Sequence, residues 1–249
     1  MSIILEARGL RREFSGFVAV DGVDLQVEAG TVHALIGPNG AGKTTTFNLL
    51  TKFIPLSSGS IILKGQDITD MKPAKVARLG LVRSFQISAI FPSLTLRENL
   101  QVALQLHDGN SICFWKKANI DKSRSRIDQL LSKVGLIDDG DEIASDLPYG
   151  KRRALEIATT LALDPDVLLL DEPMSGLGTE DISRIMKIIE SFKGEKTVLM
   201  VEHNLKVVAS ICDKITVLAR GRKIAEGSYL EVSNHPEVMS AYIGSASHG

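Results

Sequence analysis

Thiols are scarce in this 249-residue sequence: Cys113 and Cys212 stand alone, with no C-x-x-C spacing and no paired histidine. That excludes a disulfide framework and a thiolate zinc site, and it fits a reducing cytoplasm. Neither sign of charge dominates. Lys and Arg total 29 against 30 Asp and Glu, a net charge of -1, which removes any global drive toward nucleic acid or anionic lipid. No run approaches the roughly 18 apolar residues of a membrane helix, and the densest stretch, "DVLLLDEP", has the length of a strand. The beginning, "MSIILEARGLRREF", holds only a short apolar run where a secretory signal needs about 7–15 residues, so it is expected to be part of the fold. Internal repeats, low-complexity tracts and long linkers are also missing. What remains, at 44% hydrophobic content, is an ordinary globular chain.

Hydrophobic spacing divides the chain into strands and helices. "VDGVDLQV" places Val23, Leu25 and Val27 on one strand face, and "TVHALIG" is a second run that ends in a glycine-rich loop. "KTTTFNLLTKF" then predicts a helix, with Phe47, Leu50 and Ile54 near 3.6 periodicity. "GSIILKGQDIT" reads as a short hairpin and "LGLVRSFQ" as a strand ending at Gln86. From roughly Pro92 to Leu161 the spacing turns helical, as in "LTLRENLQVALQL" and "SRSRIDQLLSKVGL". The strand "DVLLLDEP", the helix "TEDISRIMKIIESFKG", the strand "KTVLMVEHN", the helix "LKVVASIC" and a hairpin turning at Gly221-Arg222 complete the chain, followed by a small polar tail expected to fray. Strands alternating with helices imply an α/β fold around a mostly parallel sheet.

Chemistry concentrates in two places. "GPNGAGKTT" comprises Gly37, Pro38, Asn39, Gly40, Ala41, Gly42, Lys43, Thr44 and Thr45, and it fits G-x-x-x-x-G-K-[ST]. Glycines let successive N–H groups face one concavity, the following helix adds its positive end, and Lys43 reaches the β- and γ-phosphates. Thr44 is placed to ligate Mg²⁺. The second place is the end of "VLLLDEP", where Asp171 and Glu172 leave a buried strand at the edge where ligands of open α/β sheets bind. A lone Asp-Glu pair is ordinarily a charged turn. Beside a phosphate loop the two have separable tasks, Asp171 holding Mg²⁺ through its water shell and Glu172 polarising the attacking water.

With these motifs in order, the sequence resembles an ABC-type ATPase subunit over nearly its whole length. The resemblance implies a single P-loop ATPase domain spanning 1–249. That domain would have a RecA-like parallel-sheet core, an N-terminal antiparallel β subdomain, and an inserted α-helical subdomain at about 87–161 carrying the signature motif. In this family a glutamine touches Mg²⁺ and the transmembrane partner, which Gln86 matches, and a histidine senses the γ-phosphate, which His203 in "LMVEHN" matches. Phe14 in "REFSGFVAV" matches the aromatic that stacks on adenine; burial in the β subdomain is the alternative.

The family signature usually reads L-S-G-G-Q and serves the ATP of the opposite subunit. Here it reads "LPYGK": Pro148 replaces the serine, Tyr149 the first glycine and Lys151 the glutamine, while Gly150 remains. Proline presets φ for helix entry. The N–H groups of Tyr149 and Gly150 and the charge of Lys151 then make a working site of altered chemistry, against the alternative of a degenerate signature that closes poorly. The aspartate of the crossing loop is missing from "MSGLGTED", where Gly178 stands, and Glu180 or Asp181 is a candidate substitute. "LPYG", the "CFWKKA" insert and the ending "EGSYLEVSNHPEVMSAYIG" resemble the ATPase subunits of branched-chain amino acid importers. "CFWKKA" itself reads either as aromatic core with solvated lysines or as a permease contact.

The resemblance implies ATP hydrolysis with Mg²⁺ on the cytoplasmic face of the inner membrane, powering an importer of branched-chain or other amino acids or small amides. Implied partners are a second ATPase subunit, identical or paralogous, membrane permease subunits and, indirectly, a solute-binding protein; no nucleic acid is expected. Competing readings are a soluble ABC ATPase acting on DNA or ribosomes, and an ATP-binding regulator with weak turnover.

Overall fold

The computed structural model describes residues 2–84, 90–108 and 117–246. Its strands are β1 (Ile3–Phe14), β2 (Phe17–Glu28), β3 (Val32–Ile36), β4 (Ser58–Leu63), β5 (Gln66–Asp67), β6 (Leu81–Ser84), β7 (Val167–Asp171), β8 (Thr197–Val201), β9 (Lys214–Ala219) and β10 (Arg222–Gly227). Its helices are α1 (Lys43–Leu50), α2 (Pro73–Arg78), α3 (Leu96–Asp108), α4 (Lys117–Lys133), α5 (Tyr149–Leu161), α6 (Thr179–Glu190), α7 (Leu205–Ile211), α8 (Tyr229–Ser233) and α9 (Pro236–Ala246). The chain divides into two compact units. One comprises Met1–Arg83, Asp166–Pro173 and Ile189–Gly249, the other Ser84–Pro165 and Met174–Ile188.

The first unit holds two sheets. Strands β2-β1-β4-β5 form an antiparallel sheet, and β10-β9-β3-β8-β7-β6 a six-stranded one in which β9, β3, β8 and β7 run parallel. Every residue of β3 ("VHALI"), β7 ("VLLLD") and β8 ("TVLMV") is buried, as expected of central parallel strands covered on both faces. Register decides what these strands can present. Leu35 pairs with Val201 and Asp171 with Val201, so the carboxyl ends of β3, β7 and β8 come level. The loops that begin at Gly37, Glu172 and Glu202 therefore leave the sheet along one edge. Leu5, Leu10, Leu25, Phe47, Leu50, Ile61, Leu169 and Val201 belong to one buried apolar cluster of this unit. Each large side chain there contributes about 1.5–3 kcal/mol by leaving water.

The second unit is helical. Leu96 and Leu100 of α3, Ile127, Leu130 and Leu131 of α4, and Ala154, Leu155, Ala158 and Leu161 of α5 are buried at helical spacing. Asn99 pins the entry to α3: its side-chain oxygen accepts from the Phe91 N–H at 2.6 Å and its amide donates to the carbonyls of Phe91 and Thr95.

Local details depart from the sequence reading. The helix after the glycine loop stops at Leu50 rather than running to Phe53, because Lys52 takes a left-handed φ of 62° and ends it. The last hairpin turns at Arg220-Gly221, one residue before the predicted pair, with φ of 49° and 77°. Two positive φ values suit the twist of a two-residue hairpin turn. Helices α2, α8 and α9 were not legible as periodic runs, although Ser228 and Glu231 form a complete capping box at the start of α8. Gln86, Cys113 and most of "CFWKKA" lie outside the described residues. Among the described residues no helix is long and apolar enough to cross a membrane.

Candidate nucleotide site

The loop from Gly37 to Gly42 joins β3 to α1, whose first residues are Lys43, Thr44 and Thr45. Gly42 caps α1 with φ of 98°, and a Cβ there would lie 2.7 Å from the Ala19 carbonyl oxygen, so the position accepts only glycine. Gly37 is equally confined, since a Cβ would run into the Leu218 carbonyl. Asn39, Gly40 and Thr44 face solvent, while Gly37 and Ala41 are buried against the molecule. The loop is braced from behind by the carboxyl-terminal segment. The Gly221 N–H donates to the Ala41 carbonyl at 3.0 Å, and the backbone of Gly37 hydrogen-bonds the Tyr242 hydroxyl of α9. Burial raises the Tyr242 phenol above its usual pKa in spite of that bond.

Lys43 folds over its own loop, donating to the carbonyls of Gly37 at 2.7 Å and Pro38 at 3.0 Å. Burial lowers the pKa of its ammonium, and the nearby charges of Glu172 and Asp171 oppose that shift. One cation and two carboxylates of this motif set are therefore gathered in the first unit. Glu172 has a left-handed φ of 46°, rare for a residue with a side chain, and its N–H continues the β7–β8 ladder to the Val201 carbonyl at 2.9 Å. Backbone strain of this kind, about 1–3 kcal/mol, concentrates at functional positions. His203 is exposed at the end of β8, and the fully buried Glu202 carboxylate holds the turn by accepting from the N–H groups of His203 and Asn204 at 3.0 and 3.1 Å.

Thr44 and Asp171 are hard oxygen donors of the type Mg²⁺ takes. Among the described residues no group of three or more His, Cys, Asp or Glu side chains is arranged for a metal. A magnesium ion here suits a site completed by water and phosphate oxygens, its usual preference. Phe14 is 40% exposed on the β1–β2 hairpin, with the Arg12 guanidinium 4.5 Å from its ring centroid, so it is not buried in the antiparallel sheet.

The signature residues belong to the second unit. Pro148 provides the N-cap of α5 with no side-chain cap bond, and Tyr149 is half exposed, its hydroxyl 3.5 Å from the Ser175 carbonyl. Lys151 is already engaged: its ammonium lies 2.6 Å from Asp139. A Cβ on Gly150 would collide with the Asp181 carboxylate, so α5 begins against an acid of its own unit. Sequence reasoning missed Arg83, Asn48, Asp139 and Tyr242. A charged residue inside the buried run "LVRS" was the available signal for Arg83; nothing marked the other three.

The parallel sheet and its glycine loop define a P-loop nucleotide-binding cassette. A family model described as "ABC transporter" matches residues 20–175, and one described as "Branched-chain amino acid ATP-binding cassette transporter" matches 222–248. The chain belongs to the ABC transporter family of ATP-hydrolysing cassettes. It is 36% identical to the high-affinity branched-chain amino acid transport ATP-binding protein LivG of Escherichia coli and 39% identical to BraF of Pseudomonas aeruginosa, covering 98% of each chain in both cases. Among solved structures, it is similar to the ATP-binding cassette of an ABC transporter in its ADP conformation, with TM-score 0.86, 28% identity, and coverage of 98% of this chain and 100% of that one. A nucleotide-free ATP-binding cassette gives TM-score 0.85 at 28% identity, with the same coverage.

Proposed function

We propose that this chain is the ATPase subunit that powers import of branched-chain amino acids. It would work peripherally on the cytoplasmic face of the cell membrane, with permease subunits and a second ATPase subunit. The observation that carries the reading is the 36–39% identity to branched-chain amino acid transport ATPases across 98% of both chains. The relatives' names supply the substrate class.

At the site, the loop N–H groups and Lys43 bind and orient the β- and γ-phosphates, while Phe14 offers an aromatic surface to the base. Thr44 and Asp171 would hold Mg²⁺, which would neutralise phosphate charge when bound. Gln86, matching by sequence, would join that set and face the permease. Glu172 accepts a proton from the attacking water, and His203 contacts the γ-phosphate. Tyr149, Gly150 and Lys151 would serve the nucleotide of the second subunit. Glu172 is supported by its place at the end of β7 and by its strained backbone.

The test is ATP hydrolysis by this chain reconstituted in vesicles with its permease subunits. Solute-binding protein loaded with leucine, isoleucine or valine should stimulate turnover. Stimulation by an unrelated solute alone would refute the substrate assignment.

A further inference from the structure

Arg83 sits on β6 among buried neighbours, Leu81, Val82 and Ser84. A guanidinium placed there is costly unless paired and hydrogen-bonded. Its fork is used in two directions. One Nη donates to Asp171 Oδ2 at 2.5 Å and the other to Asn48 Oδ1 at 2.5 Å, with the carbon of the fork 5.8 Å from the Phe47 ring centroid. The Arg83 side chain is 10% exposed and that of Asp171 1%. A single cation thus joins the ends of β6 and β7 to α1, the helix that opens with Lys43. Lysine would bring the charge without the fork, and so reach one of the two oxygens at a time.

We propose that Arg83 is a positioning residue for Asp171, holding Oδ2 so that the carboxylate meets Mg²⁺ and nucleotide in one orientation, with Asn48 locking the guanidinium to the phosphate-loop helix. The inference rests on reading Asp171 as the metal-holding acid. Turning that carboxylate requires breaking a charge-assisted bond in a nearly water-free setting. An ion pair with a merely architectural role would alter folding stability and leave Mg²⁺ dependence untouched.

The experiment is a Mg²⁺ titration of fluorescent ATP-analogue binding by the full chain, comparing the original with Arg83→Lys, Asn48→Ala and Asp171→Asn. Arg83→Lys should raise the Mg²⁺ midpoint about tenfold, in the range seen when groups behind metal ligands are removed, with binding in EDTA unchanged. An unmoved midpoint in folded Arg83→Lys, with Asp171→Asn shifted, overturns the role of Arg83 alone. Should Arg83→Lys fail to fold, Asn48→Ala decides: it keeps the ion pair and frees the fork, so a midpoint raised severalfold supports the inference and an unmoved one overturns it. If Asp171→Asn leaves the midpoint in place, the metal reading of Asp171 fails and this inference falls with it.

Discussion

The segment Gly37–Thr45 and the start of α5 at Tyr149–Lys151 both offer backbone N–H groups at a helix amino end, yet their lysines are held by different partners. Lys43 donates to the Gly37 and Pro38 carbonyls of its own loop, and Asp171, one of the two acids whose charges reach it, is itself paired with Arg83. Lys151 is paired with Asp139, and the Asp181 carboxylate already lies against Gly150 at the positive end of α5. A phosphate that reaches Lys43 displaces backbone carbonyls rather than a carboxylate. The start of α5 has its charges satisfied within its own unit, so receiving a phosphate there requires an exchange of partners.

The largest effect should come from Glu172→Gln, which removes the general base proposed above and is expected to lower ATP turnover by about 10²–10⁴ while nucleotide still binds. Turnover within tenfold of the original would remove Glu172 from the chemistry. Gly42→Ala should weaken nucleotide binding roughly 100-fold, read by fluorescence titration, because its Cβ displaces the loop against Ala19. On the other side of the comparison, Gly150→Ala should cost about 1–3 kcal/mol of stability by crowding Asp181, and adding Asp181→Ala should restore the melting temperature. No recovery in the double variant would mean that the carboxylate is not what crowds the helix start.

A pH test bears on the sheet behind the phosphate loop. His33 on β3 is fully buried, its Nε2 2.8 Å from Thr216 Oγ1, and burial lowers its pKa to about 4. The unfolded chain takes up that proton near pH 6.5 and the folded chain only near 4, so stability should fall as pH drops through this window. The integrated loss is on the order of 3 kcal/mol. His33→Gln should flatten the dependence in denaturant unfolding at pH 7, 6 and 5. The smallest effect belongs to Lys151→Gln. Its pair is partly exposed, so stability should change by less than about 1 kcal/mol.

Much of the first unit was legible because its signals are local. The glycine spacing, the strand before it and the helix after it are contiguous, and β3, β7 and β8 are continuous apolar runs. Arg83 was not legible, because its partners Asn48 and Asp171 lie 35 and 88 positions away and meet only in the folded sheet. The charge of Lys151 was visible but its partner, 12 positions earlier across a loop, was not. For Phe14, exposure speaks against burial in the antiparallel sheet, the alternative that stood beside the adenine-stacking role implied by the resemblance. Arg220 escaped notice because the glycine beside it drew the hairpin turn one position along.

The most direct measurement of the central claim is the molar mass in solution of Glu172→Gln, with and without ATP, by light scattering on a sizing column. If Lys43 grips nucleotide in one chain and the "LPYGK" end of α5 receives it from another, ATP should convert monomer to dimer, and Lys43→Ala should abolish the shift. A chain that binds ATP and stays monomeric would contradict the account of the signature.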